Sequence, residues 1–138
     1  MIQAFNYQES NMWPSLEEAN CIMEPTSTTP YVKYNKFANA LTIKGASTRQ
    51  AMDEFYSLSI QKFKSNLASK KYGTLNLNFK TFNTSTAKVL FDLFKSIRDE
   101  KAAGAAVKIR WEVFLTELDM LETAKDFAEL FDLDINLK

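Results

Sequence analysis

The residues best suited to chemistry form one short polar segment, Phe82-Asn83-Thr84-Ser85-Thr86-Ala87-Lys88. It lies between a stretch with the alternation of a β-strand and one with the spacing of a helix. Asn, Ser and Thr are preferred helix N-caps, because a side-chain oxygen there accepts a free amide hydrogen of the first turn. Three consecutive hydroxyls exceed what capping requires, and an exposed one can accept a phosphoryl group at a helix end that favours anions. The segment is therefore either a well-capped helix start or a phosphorylation site.

Most catalytic machinery is missing from the 138-residue chain. It contains no His, which excludes a His-ligated metal site and a Ser-His-Asp triad, and its single Cys excludes an internal disulfide. Its 3 Gly residues form no phosphate-binding loop. The adjacent carboxylates Asp53-Glu54 and Asp99-Glu100 diverge around a helix axis and make poor acid–base pairs. We therefore predict a protein that is not an enzyme and uses no cofactor or metal.

The charges cancel overall but are unevenly distributed. Residues 1–32 hold four Glu and no Lys or Arg, residues 33–110 hold 15 Lys+Arg against 5 Asp+Glu, and residues 111–138 hold 2 against 8. The basic middle either binds an acidic partner or pairs with the acidic ends of its own chain. The N-terminus lacks a signal-peptide pattern and no apolar run is long enough to span a membrane, so we predict a cytoplasmic protein without a membrane partner.

The elements that position the polar segment follow from two periodicities. Strict alternation in YVKYNKF, ALTIKG, TLNLNFK and VKIRWEV predicts strands that are buried on one face only. Helical spacing covers residues 48–70, 85–102 and 117–131, and a last short strand is predicted at Ile135–Leu137. The order β-β-α-β-α-β-α-β, with right-handed crossovers, predicts an α/β (α+β) fold. Its mixed four- to five-stranded sheet carries helices on one face.

The chain divides into an N-terminal extension and one domain. Residues 1–24 are the extension, irregular up to about residue 29 with one short helix around residues 14–20, and residues 25–138 form the domain. The polar face of the sheet gathers five cations, namely Lys33, Lys44, Lys80, Lys108 and Arg110. This face offers no aromatic side chain on which bases could stack, so we expect no nucleic acid partner.

Several short motifs occur in an order that resembles a known signature. They are the segment Pro25–Pro30, the triplet Gly45–Ser47, the segment Phe82–Lys88 and a strand that closes on Trp111. In the first of them a Thr follows Pro25 and another precedes Pro30. Over about residues 24–138 the sequence resembles the SiaC-type family of bacterial regulatory phosphoproteins, relatives of the STAS-domain anti-sigma-factor antagonists. The resemblance implies a STAS-like fold, which agrees with the sheet predicted from the periodicities.

The resemblance also implies a phosphothreonine switch in signal transduction by partner switching. Thr84 corresponds to the phosphoacceptor, which a Ser/Thr protein kinase phosphorylates and a PP2C-type phosphatase dephosphorylates. The unphosphorylated form binds and activates an output partner, a diguanylate cyclase in the characterised branch. The residues that flank the phosphosite, and so belong to the interface, are Phe82, Asn83, Ser85, Thr86 and Lys88.

The physics of the switch can be stated from the residues alone. A phosphate on Thr84 adds about −1.5 to −2 charge units at a favourable helix end, so we expect a changed surface rather than refolding. Lys80 and Lys88 would hold either the phosphate or an acidic partner. The alternative function is a small α/β binding module for an apolar small molecule. The oligomeric state remains open.

Overall fold

The computed structural model describes residues 20–114 and 116–137, which form one mixed sheet and three helices. The strands are β1 (Asn20–Met23), β2 (Tyr31–Asn35), β3 (Ala40–Ser47), β4 (Tyr72–Phe82), β5 (Ala106–Trp111) and β6 (Ile135–Leu137). The helices are α1 (Met52–Lys70), α2 (Thr84–Ala102) and α3 (Leu118–Leu130). The strands lie side by side in chain order, antiparallel from β1 to β3 and parallel from β3 to β6.

The predicted one-sided burial of the sheet is confirmed. In β4 the side chains of Leu75, Leu77 and Phe79 are buried, whereas the residues between them are only half-buried. Each helix joins one parallel strand to the next in the same direction, so right-handed crossovers place all three helices on the same face. Trp111, which is fully buried, stacks on Phe94 of α2 with ring centroids 6.0 Å apart. The predicted fold class is therefore correct.

The sheet has six strands rather than the predicted four to five. The additional strand, β1, lies in residues that we expected to be irregular, and it pairs with β2 so that Cys21 opposes Tyr34. Cys21 and Met23 pack against the core, while Ile22 between them is 56% exposed on the opposite face. A four-residue strand close to Pro25 is too short for its alternation to be seen in the sequence. Apart from residue 20, the predicted helix around residues 14–20 lies outside the described residues.

The helices begin and end close to the predicted positions, with one exception. Helix α1 starts at Met52 rather than near residue 48, because Ala51 has a left-handed conformation with φ of 57°. The amides of Thr48 and Arg49 donate instead to the backbone oxygen of Thr28. Gly104, with φ of 102°, follows α2 as its stop signal predicts. Among the described residues, no helix is long and apolar enough to cross a membrane.

Candidate functional site

Three of the motifs found in the sequence, all except the strand that closes on Trp111, meet at the edge of the sheet where the parallel strands β3 and β4 end. Ser47, the last residue of β3, lies beside Phe82, the last residue of β4. The loop before β2 joins them, since the backbone oxygen of Thr28 accepts hydrogen bonds from Thr48 N at 2.8 Å and Arg49 N at 3.2 Å. Segments that are more than 50 residues apart in the chain thus form one continuous surface.

The loop between Pro25 and Pro30 is held rigidly against this edge. The Thr26 and Thr29 hydroxyls are 2.6 Å apart, and Thr26 Oγ1 also accepts from Thr29 N at 2.9 Å. Gly45, where β3 shifts its register to β4, has φ of 123°, and a Cβ on it would lie 3.5 Å from Pro30 Cα. A backbone in this region is accessible essentially only to glycine. The Gly45–Ser47 triplet therefore sets the shape of the site rather than its chemistry.

Asn83 caps helix α2 and ties it to the neighbouring loop. Its Oδ1 accepts hydrogen bonds from Thr86 N at 3.0 Å and from Ser85 Oγ at 2.9 Å. Its Nδ2 donates to the backbone oxygen of Arg49 at 3.0 Å, and its backbone amide donates to the oxygen of Ser47 at 3.1 Å. One side chain thus supplies the cap predicted from the sequence.

The three consecutive hydroxyls have three different environments. Thr86 is buried, and its hydroxyl lies 2.7 Å from Ser47 Oγ while it donates to the Ser47 backbone oxygen at 3.0 Å. Ser85 is half-buried, and its Oγ accepts from Met52 N at 3.2 Å, which joins the first turns of α1 and α2. Thr84 is exposed, and its hydroxyl bonds to no group in the described part of the chain. Of the three residues only Thr84 is exposed, so its hydroxyl is the one best placed for a modifying enzyme to reach.

A buried chain of hydroxyls extends from Thr86 into the core. Ser47 Oγ lies 2.6 Å from the hydroxyl of Tyr56, a fully buried residue of α1. Burial raises the pKa of Tyr56 to about 12, although its hydrogen bond with Ser47 acts in the opposite direction. The phenol is therefore protonated near neutral pH, and its hydroxyl holds the Ser47 side chain from the side of the core. Sequence analysis missed this role of Ser47 and Tyr56, because their spacing from Thr86 gives no local signal.

Basic residues lie close in the chain to the accessible hydroxyl. Lys88 lies one helical turn after Thr84, on the same face of α2, and is exposed, as is Lys80 near the end of β4. Arg49 was not among the predicted site residues. Its backbone oxygen bonds to Asn83, and its guanidinium lies 5.1 Å from the centroid of the Phe55 ring. The fold therefore brings a third basic residue next to the start of α2 through its backbone, with its guanidinium over Phe55 of α1.

Apolar side chains extend the same edge on the side of β5. Phe82 is half-buried and contacts Phe79 edge to face at 5.1 Å. Phe114 and Leu118 are 69% and 68% exposed. A cleft of about 530 Å³ lies between the end of β4 and the start of α3, lined by Lys80, Phe82 and Leu118 among others. Large exposed apolar side chains grouped in this way are typical of a protein interaction surface.

A second cleft, of about 620 Å³, lies between α1 and α2. Ile60, Val89 and Leu93 contribute apolar side chains to it, and Asp92 and Glu100 are among its acidic lining residues. This is the place where the alternative function, binding of an apolar small molecule, would be located. Within the described residues no group of three or more Cys, Asp or Glu side chains could hold a metal ion.

Comparison with known proteins agrees with this geometry. The family model described as SiaC family regulatory phosphoprotein matches residues 23–138. The chain belongs to the SiaC family. The resemblance noted in the sequence is thereby confirmed, and the match includes all of the motifs that meet at the edge of the sheet. No curated protein is similar enough to count as a match.

Solved SiaC structures share the fold of the chain. The crystal structure of apo-SiaC from Pseudomonas aeruginosa has a TM-score of 0.79 at 22% identity, and the similarity covers 86% of this chain and 98% of that one. A second crystal structure from the same organism is that of diguanylate cyclase SiaD in complex with its activator SiaC. It also matches with a TM-score of 0.79 at 22% identity, and the similarity covers 85% of this chain and 97% of that one. At these identities the likeness shows the fold alone.

Proposed function

We propose that this SiaC-family chain is a non-enzymatic switch that binds an output partner when Thr84 is unphosphorylated and releases it when Thr84 is phosphorylated. A Ser/Thr protein kinase would add the phosphate and a PP2C-type phosphatase would remove it. Because such a kinase draws on ATP, we expect the switch to operate in the cytoplasm. The observation that carries the proposal is that three adjacent hydroxyl residues have different environments. Within the described residues, Thr84 is the one of the three that is exposed and whose hydroxyl has no hydrogen-bond partner.

The local structure is suited to a phosphate at Thr84. Thr84 is the first residue of α2, where the helix dipole and the amides of the first turn favour an anion. The cap itself is made by Asn83, so a group on Thr84 need not displace it. Lys88, one helical turn after Thr84, and Arg49, whose backbone bonds to Asn83, contribute positive charge near this helix end. These features support a change of surface rather than a change of fold.

The surface around Thr84 is suited to a protein partner. Phe82, Phe114 and Leu118 would be covered by a partner that packs against the end of the sheet. A phosphate beside such an interface brings about −1.5 to −2 charge units that must be desolvated, and it also fills space. In Pseudomonas aeruginosa SiaC is an activator found in complex with the diguanylate cyclase SiaD. We therefore propose a diguanylate cyclase as the output partner.

Phosphosite mapping on protein purified from its own host tests the acceptor. We expect a single phosphoryl group on Thr84 that disappears in Thr84→Ala. Thr81→Ala is the matched control, because Thr81 is exposed three residues earlier and lies outside the helix end. Protein that is unmodified at Thr84 in every growth condition would contradict the proposal, and so would modification that persists in Thr84→Ala.

Pull-down experiments from the same host test the switch. Thr84→Ala should retain the output partner, and Thr84→Glu should lose it while keeping the same thermal unfolding midpoint. A backbone NMR comparison of the free and phosphorylated protein should show shifts confined to the end of the sheet and the first turn of α2. Loss of the helical signals of α2 on phosphorylation would contradict switching by surface change.

The alternative function can be tested separately. The cleft between α1 and α2 has an apolar floor, so native mass spectrometry of protein from its host would reveal a retained small molecule if the cleft is a binding site. Leu93→Gln should then release the molecule, whereas Thr84→Ala should not. Protein that carries no bound molecule would favour the phosphorylation switch over the binding module.

A further inference from the structure

The face of the sheet opposite the helices is basic and has no partner within the described residues. Strand register places one row of side chains across it, from β1 to β6, consisting of Ile22, Lys33, Thr42, Asn76, Arg110 and Asn136. Lys44 and Lys108 project from the same face, because they lie two residues from Thr42 and Arg110. All four cations are exposed.

These cations lack counter-ions in the part of the chain that the structure describes. The two ion pairs found there, Lys71–Glu100 and Arg98–Asp99, involve none of them. Glu112, beside Arg110, accepts a hydrogen bond from Asn78 at 2.8 Å instead. A face with four unpaired cations attracts an acidic ligand.

The face also has a concave region that can receive a side chain. A cleft of about 290 Å³ is lined by Thr42, Asn76 and Asn78 together with Lys44, Arg110 and Glu112. Ile22 is 56% exposed at the β1 end of the same face. The surface therefore combines positive charge, amide and hydroxyl groups, and one exposed apolar side chain at its edge.

The chain itself contains a segment of complementary composition. Residues 1–19 hold Glu9, Glu17 and Glu18, no Lys or Arg, and three aromatic residues, namely Phe5, Tyr7 and Trp13. This segment joins the sheet at Asn20, where β1 begins opposite Asn35, two residues before the Ile22–Lys33 pair. It also precedes the residues that the family model matches, which begin at residue 23.

The segment is long enough to reach every cation on the face. From β1 to β5 the sheet is about 19 Å wide, since neighbouring strands lie about 4.8 Å apart. Nineteen residues can extend over roughly 60 Å, and as a helix over about 28 Å. A tether of this length also gives the segment a high effective concentration at the face.

We propose that residues 1–19 bind to the open face of the sheet, with Glu17 and Glu18 close to Lys33, and with Glu9 close to Lys44, Lys108 and Arg110. The site is on the side of the sheet away from the helices, and the proposal does not depend on phosphorylation of Thr84.

Zero-length cross-linking of carboxylates to amines in the full-length protein tests this directly. We expect Glu17 and Glu18 to link to Lys33 and Glu9 to link to Lys44 and Lys108, whereas none of them should link to Lys95 or Lys125, which are exposed on α2 and α3. Equal yields at Lys95 and Lys108, or no link to Lys108, would overturn the proposal. In a mixture of isotopically labelled and unlabelled protein, links that form only between different chains would overturn it in favour of a second copy.

Charge reversal shows whether the contact is electrostatic. Lys44→Glu combined with Arg110→Glu should lower the yield of links to Lys108 roughly tenfold. A change of this size in a binding equilibrium is what the loss of a few surface ion pairs produces. The matched control, Lys95→Glu with Lys125→Glu, should leave that yield unchanged. Salt at about 1 M should lower it as well, because exposed charges are then screened. A yield that responds equally to both pairs of substitutions would contradict the proposal.

Discussion

Replacing Thr86 and Thr84 separately by Val should separate the buried structural hydroxyl from the one that we propose as the phosphoacceptor. Val has the shape of Thr and nearly the same helix propensity, so each substitution removes little except the hydroxyl. Thr86 Oγ1 lies 2.7 Å from Ser47 Oγ and 3.0 Å from the Ser47 backbone oxygen, in a fully buried position. Thr84 is exposed and its hydroxyl has no bonding partner in the described structure.

The expected loss of stability follows from these contacts. In Thr86→Val the Ser47 backbone oxygen still accepts from Asn83 N at 3.1 Å, and Ser47 Oγ still contacts Tyr56 at 2.6 Å. No buried group is left wholly without a partner, so the cost is that of buried hydrogen bonds, about 1–3 kcal/mol. For a domain of this size that corresponds to a decrease of roughly 3–9 °C in Tm. Thr84→Val should change the stability by less than about 0.5 kcal/mol.

Two assays on the same pair of variants check this expectation. Thermal unfolding followed by circular dichroism should show the decrease for Thr86→Val only, and phosphosite mapping should show loss of the phosphoryl group for Thr84→Val only. If Thr84→Val lowered the Tm as much as Thr86→Val, the exposed and buried environments would have been assigned wrongly. If Thr86→Val alone abolished phosphorylation while remaining folded, Thr84 would not be the acceptor.

Three further predictions concern the groups that hold the site. Burial raises the pKa of Tyr56 to about 12, from an ordinary value near 10, so its protonated phenol contributes stability that is fully present below pH 10 and is lost as pH rises through 12. Urea unfolding should therefore show a free energy of unfolding that declines over this pH range, and the decline should be smaller in Tyr56→Phe. Asn83→Ala should cost about 1–2 kcal/mol by loss of the cap, and Asn83→Asp should recover most of it in chemical denaturation, since the accepting oxygen remains. Gly45→Ala should cost about 1–3 kcal/mol, because φ of 123° is strained for alanine, and an unchanged denaturation midpoint would contradict this.

The architecture could be predicted because the sheet is buried on one face only. Leu75, Leu77 and Phe79 alternate with polar residues, and alternation of this kind identifies both the strand and its buried face. Strand β1 could not be predicted in the same way. Its burial depends on pairing with β2, which brings Cys21 opposite Tyr34, and four residues carry too little periodicity to show this.

The sequence predicts which segment forms the candidate site, but not the role of each hydroxyl within it. The sequence shows three adjacent hydroxyls and a cap, but it does not show which hydroxyl is buried. That depends on Ser47, which is 39 residues before Thr86 and meets it only when β3 and β4 lie side by side. The same holds for Arg49, which reaches the site through its backbone bond to Asn83.

The arrangement explains how a phosphate could alter binding without altering the fold. Helix α2 is fixed at its start by contacts that leave Thr84 out, since Asn83 provides the cap and Thr86 connects through Ser47 to Tyr56. A charge added at Thr84 therefore acts on whatever lies above the helix end, and the buried contacts below it are retained. If Thr84 also carried the cap, the same phosphate would remove a helix-stabilising bond and couple signalling to unfolding. If Thr84 is the phosphoacceptor, as we propose, this separation of cap and acceptor over adjacent residues allows repeated modification without loss of the helix start.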